Sequence, residues 1–213
     1  MKRHISPLDN LVINLDQALR TVFGKPQVTE RPQPDADLAQ ADLSTDEASR
    51  VAGLMRVNHA GEVCAQALYQ GQALTAKLPN VREKMERAAQ EENDHLAWCE
   101  NRLKELGDHT SYLNPIWYAG SFAIGALAGL AGDKWSLGFV VETERQVVKH
   151  LESHLQQLPP QDDKSRAILA QMKEDESHHA TLALNAGGAE LPTPIKKIMQ
   201  ATSKIMTQTT YHI

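Results

Sequence analysis

The chain has 213 residues, 41% of them hydrophobic, enough for one domain with a sizeable core and short appendages. A net charge of −5 supplies no basic field for a nucleic acid, and MKRHISPLDN lacks the apolar run of a secretory signal. Two cysteines, Cys64 and Cys99, form no CxxC pair and are too few for a disulfide framework or a Cys-rich zinc site, as expected of reduced core residues.

In SPLDNLVINLDQALRTVFG (6–24), Leu8, Leu11, Val12, Leu15, Leu19 and Val22 recur at helical spacing. They predict a short amphipathic helix with Ser6 as N-cap and Pro7 at its first position. Three prolines and several acids make 25–45 a linker, so residues 1–45 read as an N-terminal unit with no chemical role assigned. A long helix is predicted from about Asp46, behind Ser44 and Thr45, to Lys77. Pro79-Asn80 breaks the chain, and a second helix runs from about Val81 to Leu106, ended by Gly107. A third covers about 134–158 and stops at Pro159-Pro160; a fourth spans about 164–186 and stops at Gly187-Gly188. No run alternates at period two, so a sheet is not expected and an all-α four-helix bundle is predicted over 46–190.

Residues 109–132 between the second and third helices hold no acid, lysine or arginine. About 18 apolar residues lie at the lower limit for spanning a bilayer. Gly and Ala content, with no basic flanks, favours a buried or half-inserted crossover segment. The last unit, 191–213, places Ile195, Ile198, Met199, Ile205 and Met206 on one side of an amphipathic helix. Lys196, Lys197 and Lys204 follow the last acid, Glu190. Such a helix packs on the body or lies on an anionic membrane surface.

Chemistry concentrates in two stretches, QEENDHLAWC (90–99) and KEDESHHATLA (173–183), each with a Glu followed three residues on by a His: Glu92 with His95, and Glu176 with His179. Three-residue spacing puts both side chains on one helix face, within reach of one metal ion. Met85, Ala88, Ala89, Leu96 and Cys99 share the first face; Leu169, Met172, Ala180, Leu182, Ala183 and Ala186 share the second. Ionised carboxylates pointing inward are costly unless paired or bound to a cation. The other long helices supply further inward acids. Glu62 shares its face with Met55, Ala65 and Tyr69. Glu144 is flanked at −7, −4, −3, +3, +4 and +7 only by Leu or Val, whereas Glu142 has Arg145, Gln146 and Lys149 and is assigned to the polar side. A hairpin contributing Glu and then Glu-x-x-His is thus used twice, the arrangement of di-iron and di-manganese carboxylate bundles. The HExxH motif of a zinc hydrolase is absent. Asp175 and Glu91, each preceding a predicted ligand, are candidates to accept the outer ring N–H of a histidine. His59 and His150 are not assigned as ligands.

The segments LMRVNHAGEVCAQALYQGQAL, EENDHLAWCENRLKELG, NPIWYAGSFAIGALAGL and EDESHHATLAL resemble the bacterial demethoxyubiquinone hydroxylases, over about residues 45–190. The resemblance implies a ferritin-like di-iron monooxygenase whose ligands fall on Glu62, Glu92, His95, Glu144, Glu176 and His179, with Glu92 and Glu176 bridging. It further implies two iron ions, O2 as co-substrate, and a polyprenyl quinol whose ring is hydroxylated during ubiquinone biosynthesis. It also implies a peripheral position on the cytoplasmic face of the cell membrane, as a homo-oligomer or within a biosynthetic complex. No GxGxxG follows a strand, so electrons are expected from NADH bound without a dinucleotide fold, from a redox partner, or from the quinol itself. The rival readings are a ferritin-type iron store, which has no use for the uncharged insert, and a metal-free helical adaptor, which would bind no stoichiometric iron.

Overall fold

Local signals start and stop the helices close to where the sequence places them. The computed structural model describes residues 6–75 and 79–213, with side chains for all of these but 7, 8, 10, 11 and 79–87. Its seven helices are α1 (Pro7–Phe23), α2 (Thr45–Thr75), α3 (Pro79–Glu105), α4 (Asn114–Leu130), α5 (Asp133–Gln157), α6 (Asp163–Asn185) and α7 (Thr193–Thr210), with no strand among the described residues. Ser6 caps α1 in a box with Asp9, and Ser44 caps α2 in the same way with Glu47, whose backbone N–H donates to Ser44 Oγ at 3.3 Å. Gly107 and Gly187 follow α3 and α6 with φ of 73° and 103°, a conformation that favours glycine, and so end those helices. Lys77 and the side chains of Leu8, Leu11 and Met85 lie outside what is described.

Helices α2, α3, α5 and α6 form the bundle, α3 packing mainly on α2 and α6 mainly on α5, as two hairpins. The uncharged segment supplies α4, the crossover, which lies along α2. Glycines make that approach possible: a Cβ on Gly71 would collide with the Phe122 carbonyl oxygen, and one on Gly125 with that of Leu68. Among the described residues, the core holds three apolar clusters: one joins Val63, Ala67, Leu96 and Tyr118, and the other two plug the bundle. The first plug gathers Leu54, Met55, Trp98, Leu103, Leu151, Ile168 and Met172; the second gathers Ala65, Tyr69, Leu137, Val140 and Val141. Cys64 and Cys99 are free, the latter buried in the first plug.

Two arginines lock the ends. Fully buried Arg102 donates to Asp162 (2.9 Å), Ser165 (2.9 Å), Glu105 (2.8 Å) and Gln40 (2.6 Å), joining α3 to the start of α6 and to the segment before α2. Arg56 donates to Asp108 (2.6 Å) and to the carbonyls of His109 and Tyr211 (3.0 and 2.7 Å), tying down the chain after α7. Met199 and Met206 of α7 are half-buried, while Ile198 and Ile205 remain 62% and 63% exposed, so this helix docks on the body with an apolar edge left outside.

Two further histidines are structural. His154 Nδ1 lies 2.8 Å from Asn58 Oδ1, and His59 Nδ1 lies 3.5 Å from the Asn114 amide. Burial pushes both imidazoles down to about 4, with the His150 charge adding to the effect at His154. The unfolded chain therefore takes up these protons as pH falls through about 6.5, and the folded chain only near 4. Stability present above the upper value is lost between the two. Between pH 7 and pH 5 the urea midpoint of the wild type is therefore expected to drop relative to that of His154→Gln; equal slopes would contradict this.

Candidate metal centre

Between the two plugs, the bundle helices turn six titratable side chains inward. Glu62 comes from α2, Glu92 and His95 from α3, Glu144 from α5, and Glu176 and His179 from α6; none is more than 3% exposed. One ligand atom each from Glu62, Glu92, His95 and Glu176 falls within 4.8 Å of the others. The two Glu-x-x-His pairs make matching contacts. His95 Nδ1 lies 3.2 Å from Glu92 Oε2 and 3.0 Å from Glu176 Oε1, while His179 Nδ1 lies 3.3 Å from Glu92 Oε1 and 3.2 Å from Glu176 Oε2. Each of these glutamates thus presents one oxygen to each histidine. Glu62 adjoins the His95 half at 3.5 Å. Glu144 belongs beside Glu176, Glu92 and His179, whose charges act on it.

The outer ring nitrogens are held crosswise. His95 Nε2 meets Asp175 Oδ2 of α6 at 2.8 Å, and His179 Nε2 meets Glu91 Oε2 of α3 at 2.7 Å. The acids preceding Glu92 and Glu176 thereby each grip the other helix's histidine, with both Nδ1 atoms inward. Burial and the Glu92 charge drive the Glu62 carboxyl well above its ordinary range; burial and the Glu176 and Glu92 charges do the same to Glu144. Burial opposes the charged imidazolium at His95, yet its bond to Asp175 and the adjacent carboxylates of Glu176 and Glu62 carry it upward, and His179 rises against burial through Glu176 and Glu91. Asp175 falls to about 2 despite burial, because His95 and Arg31 bond its ionised form.

Whether this donor set fits cations is decided by its unmet oxygens. Glu92 Oε1, Glu144 Oε2 and Glu176 Oε1 are buried without a hydrogen-bond partner, the nearby ring nitrogens lying outside hydrogen-bond geometry. Native interiors rarely tolerate such atoms. Four carboxylates and two imidazoles suit two divalent cations of intermediate hardness.

Glu142 departs from expectation. It is buried, not solvated, because α7 covers that side of α5; its oxygens accept from Gln146 at 2.8 Å and face Lys196 Nζ at 3.4 Å. His59 and His150 lie elsewhere, the latter 3.2 Å from Ser203 Oγ. The sequence reading missed the hydroxyl of Tyr69, which donates to Glu144 Oε1, and the pair Arg31 and Asp94, joined at 2.8 Å. Tyr69 also floors a cleft of about 490 Å³ between α1, α2 and α3, lined by Gln17, Gln27, Gln70 and Asn93.

The fold is ferritin-like. It matches a dodecameric thioferritin, the bacterioferritin-related protein of Bacteroides fragilis, with a TM-score of 0.56 at 17% identity, over 75% of this chain and 92% of that one. The model of the family described as "Ubiquinone biosynthesis protein COQ7" matches residues 49–210, and the chain belongs to that family. A 3-demethoxyubiquinol 3-hydroxylase of Nitrosococcus oceani is 64% identical over 211 residues, 99% of each chain. The proteins of that name from Acinetobacter baylyi and Polynucleobacter necessarius are 60% and 59% identical, over 99% and 98% of this chain and all of theirs.

The contrast between Glu144 and Glu142 gives a direct check. Under anaerobic Fe(II) titration, Glu144→Ala is expected to weaken at least one bound ion by more than about 10-fold, while Glu142→Ala binds as the wild type does. Loading should raise the melting temperature of the wild type and Glu142→Ala more than that of Glu144→Ala. Equal losses in both variants would overturn the assignment.

Proposed function

We propose that the chain is a 3-demethoxyubiquinol 3-hydroxylase that holds two iron ions on Glu62, Glu92, His95, Glu144, Glu176 and His179. The observation that carries this reading is the convergence of buried carboxylates from all four bundle helices between two inward imidazoles, with oxygens of Glu92, Glu144 and Glu176 left unpartnered. Full-length identity of 59–64% to proteins of that name supports the substrate, a polyprenyl benzoquinol. When bound, the iron pair supplies the activation of O2, one atom of which enters the ring while the other leaves as water with electrons from a reductant.

The side chains divide the remaining work. Glu92 and Glu176 would be held in common by both ions, since each offers an oxygen to either histidine. His95 with Glu62 would complete one half, and His179 with Glu144 the other. Asp175 and Glu91 keep both Nδ1 atoms aimed inward. The apolar plugs on either side exclude water. Tyr69 anchors Glu144 and separates the centre from the cleft, whose size suits a benzoquinol ring. Neutral amides there match a ring bearing hydroxyl and methoxy oxygens.

The same reading places the protein on the membrane surface, as a peripheral protein of the cytoplasmic face. Among the described residues, no helix is long and apolar enough to cross a bilayer. Yet α1 exposes Val12, Leu15, Leu19 and Phe23 along one stripe, and α4 exposes Ile116, Leu127 and Leu130 along another; the two helices touch. Such a surface fits the acyl boundary of a membrane and leaves the polyprenyl tail in lipid. An iron store would need neither stripe. The units 1–45, 46–190 and 191–213 then serve as access surface, metal bundle and basic docking helix.

One assay tests both parts. Iron-loaded protein supplied with a reductant should hydroxylate a demethoxyubiquinol in vesicles and a short-chain soluble analogue alike. Phe23→Glu combined with Leu127→Glu should lower turnover of the vesicle substrate by about 10-fold or more while sparing the analogue. No product from either substrate, with mineralisation of many irons per chain, would favour storage. Equal turnover of both substrates by the double variant would remove the membrane surface from the proposal.

A further inference from the structure

The segment between α1 and α2, proline-rich and without periodicity, crosses the two helices that carry the Glu-x-x-His pairs. Its Thr29 donates to Asp94 of α3 from the backbone N–H (2.7 Å) and from Oγ1 (2.6 Å). Two residues on, Arg31 spreads its guanidinium over both helices: Nε donates to Asp94 Oδ2 and Nη1 to Asp175 Oδ2 of α6, each at 2.8 Å. The planar fork suits a bridge between two carboxylates, which an ammonium cannot span in the same way. Because α3 leans on α2 and α6 on α5, the α3–α6 seam is among the lightest bundle contacts, and the metal centre straddles it.

The contacts of Arg31 converge on His95. Asp175 Oδ2, the atom bonded to Arg31, is the one that meets His95 Nε2 at 2.8 Å, while Asp175 Oδ1 accepts from Gln171 at 3.0 Å. The guanidinium also lies over Trp98, 5.1 Å from the ring centroid, and Trp98 packs on the His95 ring at 5.3 Å. One arginine therefore touches both the carboxylate at the edge of that imidazole and the tilted indole beside it. Asp175 sits near the rim, its side chain 12% exposed, and without Arg31 it is free to turn toward water.

We infer that Arg31 is a positioning residue for the metal centre: from the N-terminal segment it clamps α3 to α6 and holds His95 with Nδ1 inward. The inference rests on the ligand set proposed above. Its predicted signature is local, confined to the half of the centre that contains His95.

Co(II), whose absorption reports each bound ion, is titrated into full-length wild type, Arg31→Gln and Arg31→Lys. Histidine ring nitrogens are followed by NMR in the metal-free proteins. The wild type should bind two ions. Arg31→Gln should bind one of them about 10-fold more weakly, the usual effect of loosening a ligand's outer partner, with the other unchanged. Its metal-free His95 nitrogens should shift as the Asp175 bond loosens. Arg31→Lys should recover part of the loss. Equal weakening of both ions, or no change in either, would overturn the clamp. Should Arg31→Gln fail to fold, Arg31→Lys decides by the same criteria. A wild type that binds no pair of ions would count against the proposed ligand set, and the His95 nitrogen shifts alone would then decide the clamp: unchanged shifts overturn it.

Discussion

Four glutamates cannot share a dry interior as anions unless something positive stands among them. Desolvating each costs several kcal/mol, and their mutual repulsion adds to that. In the metal-free chain the balance falls to protons, which is why Glu62 and Glu144 are driven upward by burial and by their ionised neighbours. Two divalent cations would answer the same charge with coordination, and would meet the oxygens of Glu92, Glu144 and Glu176 that find no hydrogen bond. The architecture follows from this requirement: four helices long enough to carry donors to mid-bundle, apolar plugs above and below, and carboxylates outside to orient the imidazoles.

The outer layer is as ordered as the inner one. In each Glu-x-x-His helix the acid immediately before the inner glutamate points across the seam to the opposite histidine. A dipeptide of two acids thus does two jobs, one side chain turned in and one turned across. On the α6 side this layer extends to the N-terminal segment through Arg31 and Thr29, so residues that look like a tether belong physically to the centre. Length agrees with that view, since the relatives align over 98–99% of the chain, the N-terminal segment included.

Much of this was legible in the residues. Helical periodicity, caps at Ser6 and Ser44, and the glycines at 107 and 187 mark the elements because these are local effects. The Leu and Val stripe around Glu144 identified it as inward, and its exposure of 1% agrees. Glu142 was not legible in this way. Helical neighbours report one helix's own faces, whereas its burial comes from α7, more than fifty residues away, bringing Lys196 to it. Arg31 was illegible for a related reason: a segment of irregular backbone has no period to read, and an arginine there announces neither of the distant carboxylates it joins.

The most direct measurement is anomalous diffraction at the iron edge from crystals loaded anaerobically with Fe(II). Two peaks are expected between the bundle's plugs, both touching Glu92 and Glu176, one next to His95 and Glu62 and the other next to His179 and Glu144. Iron found only at the surface, or a pair bound without Glu144, would contradict the idea that the buried acids of this bundle exist to hold two cations.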